Sequence, residues 1–383
     1  MSFRESISKQ RQLRIDAGLL REIRTIGTGQ GVVVRRAGKT LTNFSSNDYL
    51  GLASSEELKH IVSQSVAKWG VGAGASHLVC GHQHPHEQLE NEIAQFVGAE
   101  KAIVFSTGYM ANLAVPNTLL GRHDLLLQDK LNHASLIDAG MLCRSEVKRF
   151  RHLDVGHASQ LVSGVDEKLV LVATDGVFSM NGNVADVKAL ARICDLEDRL
   201  LLVDDAHGFG VLGKNGSGTL EQSGLKPKGQ RLMVGTLSKA VGSFGAFVAG
   251  DAVFIDHLTQ HARPYIYTTA LPPAIIEASR EGIRRIQSQP WRREKLNENV
   301  FRFRELALEH DIELLPSETP IQSIVFQSPQ RAVEASQKLE EEGFLVVAVR
   351  PPTVPEGTSR LRITISAAHE EKQLLGLVSS LKE

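Results

Sequence analysis

The 383-residue chain balances 43 Lys and Arg against 44 Asp and Glu, a net charge of −1, with 42% hydrophobic residues. That balance presents no basic field for nucleic acid and none for an acidic membrane surface, and no apolar stretch is long enough to span a bilayer. The length exceeds one ordinary core, so two domains or one elaborated α/β domain are expected. Cys80, Cys143 and Cys194 are odd in number, widely spaced and without metal-ligand pairing, which predicts structural thiols in a reducing cytoplasm. The N-terminus mixes charges and lacks an apolar leader core, so the protein is expected to stay in the compartment where it is made.

In chain order, Ile7, Leu13, Ile15, Leu19, Leu20 and Ile23 recur among charges and predict an amphipathic helix over 4–24. A glycine-bounded hairpin is expected from Val32 to Thr42. From about residue 56, helical patterns alternate with short apolar runs at 102–105, 125–127, 169–173, 200–203 and 232–234. Near-continuous apolar strands separated by helices predict an α/β fold with a mainly parallel central sheet, buried on both faces, with ligands at the strands' C-terminal ends. After Pro272-Pro273 come two long helical patterns, around 274–288 and 291–310. Strand-like segments at 321–326, 345–349 and 360–365 are then interleaved with helices near 331–342 and 368–382. The expected division is an N-terminal helix and hairpin segment (1–45), a large domain (46–273) and a smaller α+β C-terminal domain (274–383).

Chemistry concentrates after the strands. Lys239 follows Leu232-Met233-Val234 within Gly-Thr-Leu-Ser-Lys-Ala-Val-Gly (235–242), and the run Leu200 to Val203 ends in Asp204-Asp205-Ala206-His207. A lysine amine can hold pyridoxal 5'-phosphate as a Schiff base while a carboxylate, here Asp204, keeps the pyridine nitrogen protonated. Opposite charges roughly 4 Å apart, at an effective dielectric of about 20, attract by about 4 kcal/mol. That equals roughly three pKa units, enough to hold a pyridinium at neutral pH. His207 is placed to bond the ring's phenolic oxygen. The turn Ser106-Thr107-Gly108-Tyr109 links a strand to a helix and offers free N–H groups to phosphate, with Thr236 and Ser238 as hydroxyl donors. His133 opens a helix where its imidazole can stack on the ring, and Ser179 follows another strand. Each of these, taken singly, is as readily a turn or cap residue; Lys239 tips the balance.

Three further patterns stand out. Gly208-Phe-Gly210-Val-Leu-Gly213-Lys214 resembles both a dinucleotide fingerprint and a nucleotide-binding loop, but Asn215 stands where a metal-binding hydroxyl is required and more loop follows it. An ATPase built on that loop is the reading from another class. His77, His82, His84 and His86 alternate invitingly, yet lack a fitting carboxylate or cysteine pair and are interrupted by Pro85; no metal is expected. Arg350, in the proline-stiffened Arg350-Pro-Pro-Thr-Val-Pro355, suits a carboxylate.

Together the segments Asn43 to Leu52, Leu131-Asn-His-Ala-Ser135, Asp175-Gly-Val-Phe-Ser-Met180, Val203-Asp-Asp-Ala-His-Gly208, Gly235-Thr-Leu-Ser-Lys239, Arg350 to Pro355 and Arg360 to His369 resemble the α-oxoamine synthases. These are fold type I pyridoxal-phosphate transferases that join an amino acid to an acyl thioester with loss of carbon dioxide. The resemblance implies that Lys239 carries the cofactor, Asp204 pairs with the pyridinium, His133 stacks, and Ser179 and His207 lie near the phenolic oxygen. It further implies that the backbone at Gly108 and Tyr109, with Thr236, holds phosphate, that Arg350 holds the amino-acid carboxylate, and that Arg21 and Thr353 contact substrate. A homodimer is implied, with Asn47 and Tyr267-Thr268-Thr269 contributed by the neighbour. The implied substrates are L-alanine and pimeloyl-CoA or a pimeloyl-carrier protein, the cofactor being required in either case. A glycine-using synthase making 2-amino-3-oxobutyrate stays open, because Cys80-Gly81 is closer to those relatives while their arginine is missing from 74–82.

Overall fold

The apolar runs become buried strands in a computed structural model that describes residues 1–165, 168–196 and 198–382. The chain begins with α1 (Phe3–Asp16), β1 (Val33–Arg36) and β2 (Lys39–Asn43), then α2 (Glu56–Trp69), a π-helical turn at His77–Gly81, α3 (His84–Val97) and β3 (Lys101–Phe105). Alternation follows through α4 (Gly108–Leu119), β4 (Leu125–Asp129), α5 (Ala134–Leu142), β5 (Glu146–Phe150), α6 (Val155–Val162), β6 (Val170–Asp175), α7 (Val187–Asp195) and β7 (Leu200–Asp204). Next come α8 (Thr219–Gln222), β8 (Arg231–Thr236), β9 (Ala246–Gly250), α9 (Ala252–His261), α10 (Arg263–Ile266), α11 (Pro273–Ser288) and α12 (Trp291–Glu309). The remaining elements are β10 (Ile321–Gln327), α13 (Pro329–Glu341), β11 (Phe344–Leu345), β12 (Val347–Val349), β13 (Ser359–Thr364) and α14 (Glu371–Lys382).

Two compact units emerge, one of Leu52–Ser179 with Val184–Arg293, the other of Met1–Gly51, Met180–Asn183 and Glu294–Glu383. The first is built on a seven-stranded sheet of order β3-β9-β8-β7-β6-β4-β5. Strands β5, β4, β6, β7 and β8 run parallel; β9 is antiparallel to both of its neighbours. Because β3 and β8 each oppose β9, the C-terminal ends of β3, β4, β6, β7 and β8 share one edge. Leu126, Leu171, Leu202, Leu232 and Val234 are fully buried in one core, each contributing about 1.5–3 kcal/mol over an exposed state. Helix α11, expected in the C-terminal segment, belongs to this unit: its Ile276, Ile283 and Ile286 are buried and Arg280 binds Glu92 of α3 at 2.8 Å. Strand β3 is an edge strand, and its outward Val104 N–H is covered by Glu90 Oε1 of α3 at 3.0 Å. Burial pushes the Glu90 carboxyl up to about 8.

The second unit holds two three-stranded sheets, β1-β2-β11 and β10-β13-β12. The hairpin turns at Ala37-Gly38, both at positive φ, which suits a two-residue turn between twisted strands. The apolar run 345–349 divides between the sheets, Leu345 pairing with β2 and Val347–Val349 with β13. Helix α1 stops at Asp16, short of the expected end at 24, because Gly18 takes positive φ and Leu19 N–H bonds Arg14 O at 2.8 Å, a left-handed helix ending. None of its residues is buried. His369 stacks on Phe44 at 4.2 Å, donates Nε2–H to Asn43 O at 3.1 Å, and accepts Ser366 N–H on Nδ1 at 2.9 Å. Burial pushes its imidazole down to about 4.

Candidate active site

Five strands of the large sheet deliver chemical groups at their C-terminal ends. Strand β3 leads to Gly108, β4 to His133, β6 to Asp175 and Ser179, β7 to Asp204 and His207, and β8 to Thr236 and Lys239. Asp175 and Asp204 are paired in register across β6 and β7. They are only 3% and 6% exposed. Lys239 is half-buried on a tight loop to β9, where Leu237 N–H bonds Gly245 O at 2.8 Å and Ser243 N–H bonds Leu237 O at 2.9 Å. Gly242 closes that loop at positive φ, and a Cβ there would lie 2.6 Å from Ala53 N, so no larger residue fits. The Lys239 charge acts on both His133 and Asp175, so the three groups share one neighbourhood.

Residues that sequence reasoning did not single out complete this cluster. Asn112 of α4 donates Nδ2–H to Asp204 Oδ2 and to Ser135 Oγ at 2.8 Å, and Ser135 Oγ lies 2.7 Å from His133 Nδ1. Asp204 Oδ1 accepts Ala206 N–H at 3.0 Å. His133 is thus both a helix cap, with Ser135 N–H on its Nδ1 at 3.3 Å, and a ring held through Ser135 and Asn112 to Asp204. Burial keeps it neutral, pushing it below the usual histidine range against the pull of Asp204. The signal for Asn112 was present: it is an amide flanked by Ala111 and Leu113 in the apolar middle of α4, and it is the buried polar side chain of that helix. Asp205 faces the other way, accepting Thr219 N–H at 2.6 Å, and burial pushes it up to about 7.

The N-terminus of α4 is open to an anion. Thr107 Oγ1 caps Met110 N–H at 3.2 Å, while the first-turn N–H groups of Gly108 and Tyr109 have no acceptor within their helix. Thr236 Oγ1 lies 2.8 Å from Ser238 Oγ and donates to Gly245 O at 3.1 Å. A lysine amine, a carboxylate held by two donors, a neutral imidazole and a bare helix N-terminus are the donor set that pyridoxal phosphate requires.

In the other unit, Arg350 Nη1 donates to Gly18 O and Nη2 to Leu20 O at 3.3 Å, while Arg21 Nη2 donates to Thr353 Oγ1 at 2.9 Å. Leu20, Arg21, Arg24, Arg350 and Thr353 line a cleft of about 560 Å³ whose remaining walls include Leu19, Val333 and Val347. Burial, then the charges of Arg21 and Arg24, push Arg350 below the usual arginine range. Asn47 Oδ1 accepts Arg362 Nη2–H at 3.1 Å. Tyr267 is 71% exposed, with Arg263 over its ring.

The rival motifs resolve on inspection of their partners. The loop at 213–217 is filled by the chain's own acid: Glu221 accepts the N–H groups of Asn215 at 3.0 Å and Ser217 at 2.9 Å. Burial pushes Glu221 up, but those donors outweigh it and hold the group below the usual carboxylate range. Pro85, expected to interrupt any regular element, instead sits in the first turn of α3, where its missing N–H costs nothing. His77 Nδ1 and His82 Nδ1 face each other at 3.0 Å, and burial with the neighbouring histidines pushes His77 down to about 3. Among the described residues no group of three or more His, Cys, Asp or Glu is arranged to hold a metal ion. All three cysteines are free, Cys80 exposed and Cys194 buried. No helix among those residues is long and apolar enough to cross a membrane.

This sheet, with its lysine and acid at adjacent strand ends, places the chain in the aminotransferase class I and II family, to which it belongs by a match over residues 39–381. Its cofactor is pyridoxal phosphate, as in the similar serine palmitoyltransferase from S. paucimobilis solved with that cofactor bound, TM-score 0.93, 29% identical, covering 99% of this chain and 96% of that one. Within the family its curated relatives include 8-amino-7-oxononanoate synthases. That of Alkalilimnicola ehrlichii is 49% identical over 95% of this chain and 93% of its own, and that of Saccharophagus degradans is 45% identical over 100% and 97%. The solved 8-amino-7-oxononanoate synthase of Francisella tularensis is 33% identical with a TM-score of 0.78, covering 89% of this chain and 97% of that one.

Proposed function

We propose that the protein condenses L-alanine with a pimeloyl thioester, releasing carbon dioxide and the free thiol carrier and forming 8-amino-7-oxononanoate. The observation that carries this reading is the cluster of Lys239, Asp204 and His133 at neighbouring strand ends, in a chain about half identical to synthases of that name. When bound, pyridoxal phosphate supplies a protonated ring that draws electrons from the amino-acid carbon. Asp204, kept in place by Asn112 and the Ala206 N–H, pairs with the ring nitrogen. Gly108, Tyr109 and Thr236 would hold the phosphate, His133 would cover the ring, and Ser179 and His207 would bond its phenolic oxygen.

Lys239 would hold the cofactor, and its amine is the group that would take the Cα proton of alanine and later return one to the product. Arg350 holds the alanine carboxylate, while Arg21 and Thr353 contact substrate. The working assembly is a homodimer to which Asn47 and Tyr267-Thr268-Thr269 contribute across the interface, and the free thiols support a cytoplasmic setting. The test is product mass after incubation with L-alanine and pimeloyl-CoA or pimeloyl-carrier protein. The 8-amino-7-oxononanoate mass is expected, and it disappears in Lys239→Ala. Faster turnover of glycine with acetyl-CoA would transfer the chain to the glycine-using synthases.

A further inference from the structure

One buried acid at the strand ends has no part in the reaction as described. Asp175 accepts the backbone N–H of His133 with both carboxylate oxygens, at 3.0 and 3.1 Å. Its own N–H bonds Asn132 Oδ1 at 3.0 Å, and Asn132 Nδ2 donates to Ala173 O at 2.9 Å, so the loop leading to His133 is pinned to β6 at two successive residues. The groups facing this carboxyl are Asp204 from β7, Lys239 from the loop after β8, Asp129 from β4 and His133 at the start of α5. Burial and the like charge at Asp204 make ionisation here costly; burial first, then Asp204, push Asp175 well above the usual carboxylate range.

We propose that Asp175 is a positioning residue of the catalytic cluster, which grips the backbone of His133 so that its imidazole covers the cofactor ring and, lying in register beside Asp204, sets the charge available to the ring nitrogen. Two carboxyls side by side in a buried site feel each other's charge, so a change at one is felt at the other. A purely structural acid would hold the loop and leave the cofactor's titration unmoved. The inference rests on the reading of Lys239 and Asp204 given above.

The test compares Asp175→Asn, which keeps an acceptor oxygen for His133 N–H but cannot ionise, with Asp175→Ala, which has none. Two quantities are read on the full-length protein: the dissociation constant of pyridoxal phosphate by absorbance titration, and the pH midpoint of the bound cofactor's absorbance band. Loss of the acceptor in the alanine variant is expected to weaken cofactor binding roughly tenfold, with the asparagine variant restoring most of it. Both variants are expected to shift the midpoint by about half a unit or more. Wild-type midpoints in both, or an asparagine variant that binds as weakly as the alanine one, overturn the inference. If the alanine variant does not fold, the asparagine midpoint decides alone. A wild-type protein with no lysine-bound band at any pH overturns the functional reading first, and this inference with it.

Discussion

The strand ends of the large sheet and the arginine loop at 350–353 present charged groups in opposite ways. Asp204, His133 and Asp175 are bound to one another through Asn112, Ser135 and backbone N–H groups, all rooted in adjacent parallel strands or the helices after them. Arg350 instead spends its fork on the carbonyls of Gly18 and Leu20, in a segment without regular structure. The first arrangement is set before any ligand arrives; the second is held by contacts that a carboxylate can replace. Under the proposed function, preorganisation belongs with the group that would stay bound through every turnover, and adaptability with the group that would meet a new substrate each time.

If that contrast is right, damage at the strand ends should strike kcat and damage at the arginine loop should strike KM. Asp204→Asn should retain the fold and lower kcat by about a hundredfold or more, since a charge pairing of several kcal/mol is lost; steady-state kinetics at saturating alanine measures it. Arg350→Lys, which keeps charge but not the fork, should raise the KM for alanine roughly tenfold with a smaller effect on kcat. Equal losses in kcat from the two variants would erase the distinction.

The units also differ in their response to pH. His369 has a folded value of about 4, below that of the unfolded chain, so its contribution is full above pH 6.5 and is lost as pH falls towards 4. Glu90 has a folded value of about 8, above that of the unfolded chain, so its contribution is present below pH 4.5 and is lost as pH rises towards 8. Each effect is on the order of a few kcal/mol. Urea unfolding from pH 4 to 8 should show the acid limb flattened in His369→Gln and the alkaline limb flattened in Glu90→Gln. An unchanged profile in either would assign the limb to other groups.

Strand existence was legible because parallel strands buried on both faces leave unbroken apolar runs, and β3, β4, β6, β7 and β8 all fell where such runs lie. Strand β5 was not, since Glu146-Val-Lys-Arg-Phe150 alternates charge at the sheet's edge. Nor was β9: its Ala-Phe-Val-Ala-Gly run is short, and its antiparallel direction comes from a loop rather than a crossover helix. The positions of Lys239, Asp204 and His133 could be read from the residues just beyond each strand's apolar run. The grips on them could not, because Asn112, Ser135 and Asp175 gain their meaning only when register sets β6 against β7 and α4 against α5. Helix α1 was overextended because its apolar positions continue past Gly18, and a single left-handed residue overrides periodicity.

The acid at Glu221 has a wider lesson. By turning back onto the glycine-rich bend before it, the chain furnishes an internal counterion where a nucleotide protein would leave room for one from solution. The bend's N–H groups are thereby occupied, and anyone wishing to graft a nucleotide pocket onto this scaffold must evict the resident carboxylate before adding any new contact.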